Sequence, residues 1–210
     1  METEKQEILP VTIYAEMTPN PNTMKFVANR MLVPEGVVAE YNEKSEAENS
    51  SSVALALFGF PFVKGVFITR NFITVTKTAS IEWEDISYEL RIFLSDILKK
   101  TTEVISVTPQ LKENSLEETV QQAENSIVTP NITSELDQKI VDLLDEYVKP
   151  AVENDGGAIH FKSFEDGIVT VILKGSCSGC PSATETLKGG VEQLLKSYLK
   201  EVKEVVAEEL

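Results

Sequence analysis

Residues 155–181 decide the fold of the C-terminal part of this chain, and they read DGGAIHFKSFEDGIVTVILKGSCSGCP. Two runs of strand-forming residues, 158–164 and 168–173, lie on either side of the turn residues Glu165, Asp166 and Gly167. Such runs, separated by a short turn that contains glycine, favour an antiparallel hairpin. The segment therefore predicts a hairpin that is preceded by a glycine turn and followed by a loop with two cysteines.

Helical patterns flank this hairpin on both sides. Upstream, residues 134–137 have the spacing of a capping box, an apolar stripe follows, and Pro150 marks the approach to the helix end. Downstream, Pro181 suits a first helical position, and apolar residues then recur at helical spacing from Leu187 to Tyr198. An apolar run at 202–207 can add a final strand. Residues 132–210 are thus predicted to form an α-β-β-α domain, with that strand as an additional element.

The N-terminal half shows a mixed pattern of short strands and two helices. Strand-like runs fall at residues 11–15, 24–28, 37–41, 65–69 and 72–76. A short helix is expected at 53–58, with Ser51 or Ser52 as its N-cap. A longer amphipathic helix is expected from Trp83 to Ile97, because apolar residues recur there every three or four positions. Residues 8–100 are therefore predicted to be a second small α+β domain, and the fold class of the chain is α+β.

An acidic segment separates the two predicted domains. Between residues 101 and 131 the apolar periodicity fades, Pro109 and Pro130 occur, and Lys112 is the only basic residue. This composition is typical of a solvated linker. A flexible linker of this kind would let one domain dock a partner while the other acts on it.

The overall charge and the absence of long apolar runs argue against two classes of partner. The chain has 210 residues, with 19 Lys and Arg against 34 Asp and Glu, and its formal net charge is -15. Such a surface repels phosphate backbones, so no nucleic acid partner is expected. No stretch reaches the roughly 18 apolar residues of a membrane-spanning helix, so no membrane insertion is expected. The first ten residues lack the features of an export or import signal, which predicts a cytoplasmic protein.

The two cysteines of the chain, Cys177 and Cys180, lie three positions apart in a loop rich in glycine and serine. Two thiols separated by two small residues can turn toward one point, as a thiophilic metal centre requires. Cys180 directly precedes the helix predicted from Pro181, where free amide hydrogens favour a thiolate. The spacing alone leaves open a metal or iron–sulfur site, a dithiol redox centre and an inert structural pair.

One chain does not complete a metal site with these two thiols, because zinc and cubane iron–sulfur centres usually take four protein ligands. The single histidine, His160, is expected to be exposed on the strand face of Lys162, opposite Ile159 and Phe161. A homodimer in which each loop gives two thiolates is the simplest completion. A centre at a subunit boundary is accessible to incoming thiols, which favours a carrier over a permanently held site.

The motifs on both sides of this loop resemble a known family. Residues 148–151 (Val-Lys-Pro-Ala), 154–157 (Asn-Asp-Gly-Gly), the hairpin and residues 173–188 resemble the C-terminal domain of NifU, the Nfu domain. The N-terminal half is similar to the Nfu N-terminal domain, chiefly through residues 17–26, Met-Thr-Pro-Asn-Pro-Asn-Thr-Met-Lys-Phe. Together the two resemblances cover most of the chain and leave the acidic segment unmatched.

This resemblance implies an iron–sulfur cluster scaffold or carrier and not an enzyme. It implies a [4Fe-4S] cluster, with [2Fe-2S] as the alternative, held between two protomers by Cys177 and Cys180 as the cluster and metal ligands. The implied partners are apo iron–sulfur client proteins, upstream cluster assembly proteins and a second copy of the chain in a cluster-bridged homodimer. The rival functions are a dithiol oxidoreductase that uses the same cysteines and a zinc-bridged structural dimer.

Two loop motifs have no assigned chemistry. Residues 19–22, Pro-Asn-Pro-Asn, are expected to form a rigid turn between two strands, and such a turn also suits a contact with a client or an assembly partner. Residues 155–157, Asp-Gly-Gly, are expected to serve backbone geometry, because glycine adopts positive φ readily.

Overall fold

The computed structural model describes residues 11–106, 134–178 and 181–209. Within these ranges, strands and helices form two sheets, each with its own hydrophobic core, and the fold class is α+β as predicted. Most of the predicted linker lies outside the described residues. The boundaries 8–100, 101–131 and 132–210 therefore stay a prediction.

The N-terminal sheet is antiparallel and has five strands in the order β1-β2-β5-β4-β3. Its elements are β1 (Ile13–Met17), β2 (Thr23–Ala28), β3 (Val38–Tyr41), α1 (Lys44–Ala47), α2 (Ser52–Leu57), β4 (Val63–Thr69), β5 (Phe72–Lys77) and α3 (Trp83–Lys100). All five predicted strands and both predicted helices are present. The sequence pattern does not predict the single-turn helix α1.

One face of this sheet packs against the helices. Side chains alternate along the strands, so that Phe26, Ile68 and Val75 point into the core and are at most 1% exposed. Helix α3 lays its apolar stripe on the same core, with Leu90 and Leu94 fully buried. The periodicity of 3.6 in the helix and of 2 in the strands thus builds one continuous apolar layer.

Ser51 connects two parts of this domain. Its Oγ accepts from the N–H of Ala54 at 3.1 Å, which is the predicted cap of α2. The same hydroxyl donates to the carbonyl oxygen of Val104 at 2.7 Å. Val104 and Ile105 are buried in the N-terminal core. Packed structure thus continues a few residues past the predicted start of the linker.

The C-terminal sheet has three strands in the order β6-β7-β8. Its domain consists of α4 (Glu135–Leu143), a π-helical turn (Leu144–Val148), α5 (Lys149–Asn154), β6 (Gly157–Glu165), β7 (Ile168–Gly175), α6 (Pro181–Tyr198) and β8 (Glu204–Glu209). Strands β6 and β7 form the predicted hairpin, whereas β8 pairs with β7 in parallel. The final strand is therefore present, and α6 is the crossover that a parallel pair requires.

The helix before the hairpin begins and ends near the predicted positions. Ser134 Oγ accepts from the N–H of Asp137 at 3.1 Å, and Asp137 Oδ2 accepts from the N–H of Ser134 at 2.9 Å, which completes the capping box. Pro150 lies in the first turn of α5, directly after the π-helical turn. A proline is tolerated at such a position because its missing N–H is not needed there. Helical structure then ends at Asn154.

The second face of the N-terminal sheet packs against the C-terminal domain. Val38, Phe67 and Phe72 form an apolar cluster with Ala158 of β6. This contact covers part of the outer face of the C-terminal hairpin. Both sheets are therefore buried on more than one side.

Polar contacts surround this cluster and end on the segment before β6. Thr74 Oγ1 donates to the carbonyl oxygen of Gly156 at 2.7 Å, and Lys25 Nζ donates to that of Asn154 at 3.1 Å. Arg70 also forms an ion pair with Glu153 at 3.1 Å. The N-terminal sheet thus lies directly against the glycine turn that precedes the hairpin.

The N-terminal core can be tested on helix α3. Replacing Leu90 by alanine is expected to lower the free energy of unfolding by about 2–5 kcal/mol, because a buried leucine loses its contacts and leaves a cavity. Ile92 on the same helix is 44% exposed, so Ile92→Ala is a matched control with a much smaller expected effect. Urea unfolding followed by the fluorescence of Trp83, the single tryptophan, measures both variants. Equal losses in the two variants would contradict this packing.

Candidate functional site

The cysteine loop, residues 175–180, connects strand β7 to helix α6. Gly175 ends β7 with a φ of +69°, and α6 begins directly after the loop at Pro181, as predicted. Cys177 belongs to the described part of the loop, whereas Gly179 and Cys180 lie outside the described residues. The expected position of the Cys180 thiolate at the start of α6 therefore stays a prediction.

Cys177 packs directly on the backbone of Gly157. A Cβ added to Gly157 would lie 2.7 Å from Cys177 Sγ and 2.7 Å from the carbonyl oxygen of Lys174. Such distances leave room for glycine alone unless the loop moves. Ser176 Oγ donates to the carbonyl oxygen of Asp155, which fastens the loop to the same turn. The positive φ expected in this motif is present at Gly156, whereas at Gly157 glycine is needed because of the close approach of the thiol.

The Cys177 side chain is held as a buried thiol. It is 8% exposed and belongs to the C-terminal core. Burial raises the pKa of the Cys177 thiol to about 11, against the opposing effect of a hydrogen bond with Ser176. Metal ligation needs the thiolate, which this environment disfavours at neutral pH. A soft metal at this thiol would displace its proton on binding.

Asn20, in the Pro-Asn-Pro-Asn turn, reaches the cysteine loop from the N-terminal domain. Its Nδ2 donates to the carbonyl oxygens of Ser176 and Ser178 at 3.2 and 3.4 Å, and the residue is only 3% exposed. Glu40 on β3 makes a second contact, because its Oε1 accepts from the N–H of Gly175 at 2.8 Å and from Ser178 Oγ at 3.4 Å. The turn predicted for this motif is present, and it contacts the cysteine loop of its own chain.

Two further glycines let the domains approach each other. Gly156 has a φ of +84°, and a Cβ there would lie 3.0 Å from Thr74 Oγ1. A Cβ at Gly175 would lie 2.9 Å from the ring of Phe67. A side chain at either position would push the N-terminal sheet away. Sequence reasoning misses this role, because a local pattern does not tell what packs against a glycine.

A pair of opposite charges lies beside the loop. Lys174 is 1% exposed, and burial lowers its pKa while the charge of Glu40 opposes that shift. Burial likewise raises the pKa of Glu40, opposed by the hydrogen bond from the Gly175 N–H and by the charge of Lys174. Each charge therefore offsets part of the desolvation cost of the other.

His160 is not exposed, and the prediction that it is exposed was wrong. The residue is half-buried, and within the described ranges its Nε2 is enclosed without a hydrogen-bond partner. Burial lowers the pKa of His160 to about 4, and the positive charge of Lys174 acts in the same direction. The alternation pattern places His160 on the same face as Ala158, but it does not tell what covers that face, and Ala158 packs against the N-terminal sheet.

Cys177 is the soft metal ligand that the described part of the loop offers. Among residues 11–106, 134–178 and 181–209, no three His, Cys, Asp or Glu side chains converge as a metal site. No helix in the same ranges is long and apolar enough to cross a bilayer.

Comparison with known families matches both halves of the chain. Residues 13–101 match the family described as scaffold protein Nfu/NifU N terminal, and residues 140–206 match the NifU-like domain. A NifU-like protein of Schizosaccharomyces pombe is 30% identical over 203 residues, which cover 96% of this chain and 74% of that protein. The chain belongs to the NifU-like (Nfu) family. The resemblance drawn from the cysteine loop and the Pro-Asn-Pro-Asn turn is thereby confirmed.

Other members of the family are longer. The protein of Drosophila sechellia named NFU1 iron-sulfur cluster scaffold homolog, mitochondrial, is 32% identical over 193 residues, which cover 92% of this chain and 63% of that protein. The chain thus spans slightly less than two thirds of the length of this relative. The solution NMR structure of a NifU-like protein from Saccharomyces cerevisiae aligns with a TM-score of 0.41 at 23% identity, over 51% of this chain and 94% of that one.

Gly157→Ala tests the packing of the thiol. The new Cβ has no room between Cys177 Sγ and the Lys174 carbonyl, so the free energy of unfolding is expected to fall by about 1–3 kcal/mol. Gly190→Ala is the matched control, because Gly190 is an exposed helical residue with open space around it. Alanine there should stabilise the helix by about 0.5–1 kcal/mol. Opposite signs in urea unfolding support the packing, and an unchanged Gly157→Ala variant would contradict it.

His160 gives the stability a dependence on pH. Below a pH of about 6.5 the unfolded chain binds a proton at this histidine, whereas the folded chain stays neutral there down to about pH 4. The contribution of neutral, buried His160 to the free energy of unfolding is fully present above pH 6.5 and is lost as the pH falls from 6.5 to 4. His160→Leu should therefore lose less stability than the native chain between pH 7 and pH 5. An NMR titration of this single histidine with a midpoint near 6.5 would rule out the effect.

Proposed function

We propose that this chain is a non-enzymatic carrier that binds a [4Fe-4S] cluster through Cys177 and Cys180 and transfers it to apo-proteins, with [2Fe-2S] as the alternative cargo. The observation that carries the proposal is the position of the only two cysteines of the chain, three residues apart in the loop of a NifU-like domain. The Drosophila relatives are named iron–sulfur cluster scaffold homologs. Thiolates are also the ligands that such clusters take.

The proposed carrier works as a homodimer. Each chain supplies two thiolates, and a cubane cluster usually takes four cysteine ligands. Two copies related by a two-fold axis bring four thiolates to one point on that axis. The cluster then lies at the subunit boundary, where the thiols of a client protein can reach it.

Transfer in this proposal is an exchange of ligands. Loading begins when Cys177, which is only 8% exposed in the described conformation, turns out of its buried position and gives up its proton to bind iron. On delivery, a client thiolate forms a bond to iron as a carrier cysteine leaves, and the cysteine takes up a proton. Each step exchanges one iron–sulfur bond for another, so the oxidation state of iron need not change. No catalytic acid, base or redox group is then required.

The proposed partners are apo iron–sulfur client proteins as recipients and upstream cluster assembly proteins as donors. We propose a cytoplasmic location for the chain, whereas the names of the Drosophila relatives place those proteins in mitochondria. Cell fractionation with an antibody against the native chain distinguishes the two compartments.

Anaerobic reconstitution with iron and sulfide tests the function. About two irons and two sulfides per chain, a dimer by gel filtration and cubane Mössbauer spectra are expected, because two chains share one cluster. Colourless protein with stoichiometric zinc would favour the zinc-bridged dimer. Reduction of insulin disulfides without a chromophore would favour the dithiol oxidoreductase.

Variants assign the ligands. Cys177→Ser and Cys180→Ser are each expected to abolish cluster retention, because a hydroxyl is a poor ligand for this soft centre. His160→Leu is the control and should keep the full iron content. A stable, complete cluster in either serine variant would contradict the assignment of that cysteine as a ligand.

A further inference from the structure

The backbone on both sides of Cys177 is held by two side chains of the N-terminal domain. Asn20 Nδ2 donates to the carbonyl oxygens of Ser176 and Ser178, the two neighbours of the cysteine. Glu40 Oε1 accepts from the N–H of Gly175 and from the hydroxyl of Ser178. These four hydrogen bonds connect segments that are more than 130 residues apart in the sequence.

The orientation of the Asn20 amide is fixed by its own turn. Its Oδ1 accepts from the N–H of Asn22 at 3.0 Å, so the amide nitrogen faces the cysteine loop. Carbonyl oxygens only accept hydrogen bonds and an N–H only donates, so the opposite orientation would lose all of these bonds. The turn therefore holds the Asn20 amide nitrogen in position to donate to the cysteine loop.

Glu40 is held in a complementary way. Its carboxylate receives the Gly175 N–H at 2.8 Å, and Lys174, the residue before that glycine, supplies a nearby positive charge. A carboxylate in this partly desolvated position is costly to leave without a partner. The loop and Glu40 thus stabilise each other only while the domains are packed together.

We propose that Asn20 and Glu40 are positioning residues that hold residues 175–178 in a closed conformation, so that the N-terminal domain sets the rate of ligand exchange at Cys177. The closed conformation is the one in which the thiol rests on Gly157 at 8% exposure. When the hydrogen bonds break, the loop carbonyls gain water and the thiol becomes accessible. The effect on cluster ligand exchange rests on the proposed function. The effect on the exposure of the Cys177 thiol does not depend on it.

Alkylation of Cys177 in the metal-free full-length chain is the first test. With Cys180→Ser as background, Cys177 is the only thiol of the chain, and mass spectrometry after iodoacetamide gives its rate under native conditions. Asn20→Ser keeps an oxygen that can accept from the Asn22 N–H but is too short to reach the loop. We expect alkylation to be about tenfold faster than in the background, because the loss of one to two hydrogen bonds shifts the opening equilibrium of the loop by about this factor.

Matched controls separate this effect from a general change at the surface. Asn22→Ser makes the same substitution two positions away at an exposed residue of the same turn, and its rate should equal that of the background. Glu40→Ala should accelerate alkylation as Asn20→Ser does, whereas Glu48→Ala, at an exposed position, should not. Unchanged rates in both Asn20→Ser and Glu40→Ala would overturn the proposal.

Hydrogen exchange distinguishes positioning from general destabilisation. The Gly175 N–H should lose protection in Glu40→Ala, and the loop amides should lose it in Asn20→Ser, while amides of helix α3 keep theirs. A uniform loss of protection throughout the chain, in proportion to a lower melting temperature, would show a merely structural role and would also overturn the proposal.

A final arm uses the chain with both cysteines after reconstitution. Loss of iron to a ferrous chelator should be several-fold faster in Asn20→Ser than in Asn22→Ser, because the ligand loop is less firmly held. If the chain binds no cluster but the alkylation rates differ as expected, the proposed function fails and the positioning role stands. If the cluster binds and the alkylation rates are equal, the positioning role fails alone.

Discussion

The close packing of three backbone segments around Cys177 is the constraint on which the rest of the structure depends. The absence of a side chain at Gly157 leaves room for the sulfur of Cys177. In the same way, Gly156 leaves room for Thr74 of the N-terminal sheet, and Gly175 leaves room for the ring of Phe67. A Cβ at any of these three positions would lie 3.0 Å or less from a neighbouring atom. The position of the thiol and the contact between the domains therefore rest on the same turn before β6, and a change that moves this turn moves both.

The N-terminal sheet has two faces of different chemistry, and both are used. Its apolar face packs on three helices, whereas the face with Lys25 and Thr74 packs on the C-terminal domain. These polar side chains donate hydrogen bonds to the backbone carbonyl oxygens of Asn154 and Gly156. Hydrogen bonds of this kind contribute about 1 kcal/mol each. The pairing of donors with acceptors makes the contact between the domains specific, and its small energy allows the contact to break and form again.

Local patterns predicted the elements that depend on neighbours in sequence. The Ser134 capping box, the start of α6 at Pro181 and the stripe of α3 needed no knowledge of the rest of the chain. The contact of Asn20 with the loop depends on the docking of one domain on the other, and the burial of His160 depends on what covers one face of β6. A period-2 pattern tells which residues share a face of a strand but not what covers that face, so these features could not be predicted. The pair of cysteines was recognised from its spacing, whereas the burial of Cys177 was not.

Asn20 contacts the cysteine loop through carbonyl oxygens, which every amino acid carries. The Asn20 contact thus depends on the path of the loop backbone and not on the identity of the loop side chains. A change of side chain at Ser176 or Ser178 leaves both Asn20 hydrogen bonds in place as long as the backbone follows the same course. The insertion or deletion of a single residue would displace both carbonyls at once. The contact with Asn20 therefore depends more on the length of the loop than on its composition.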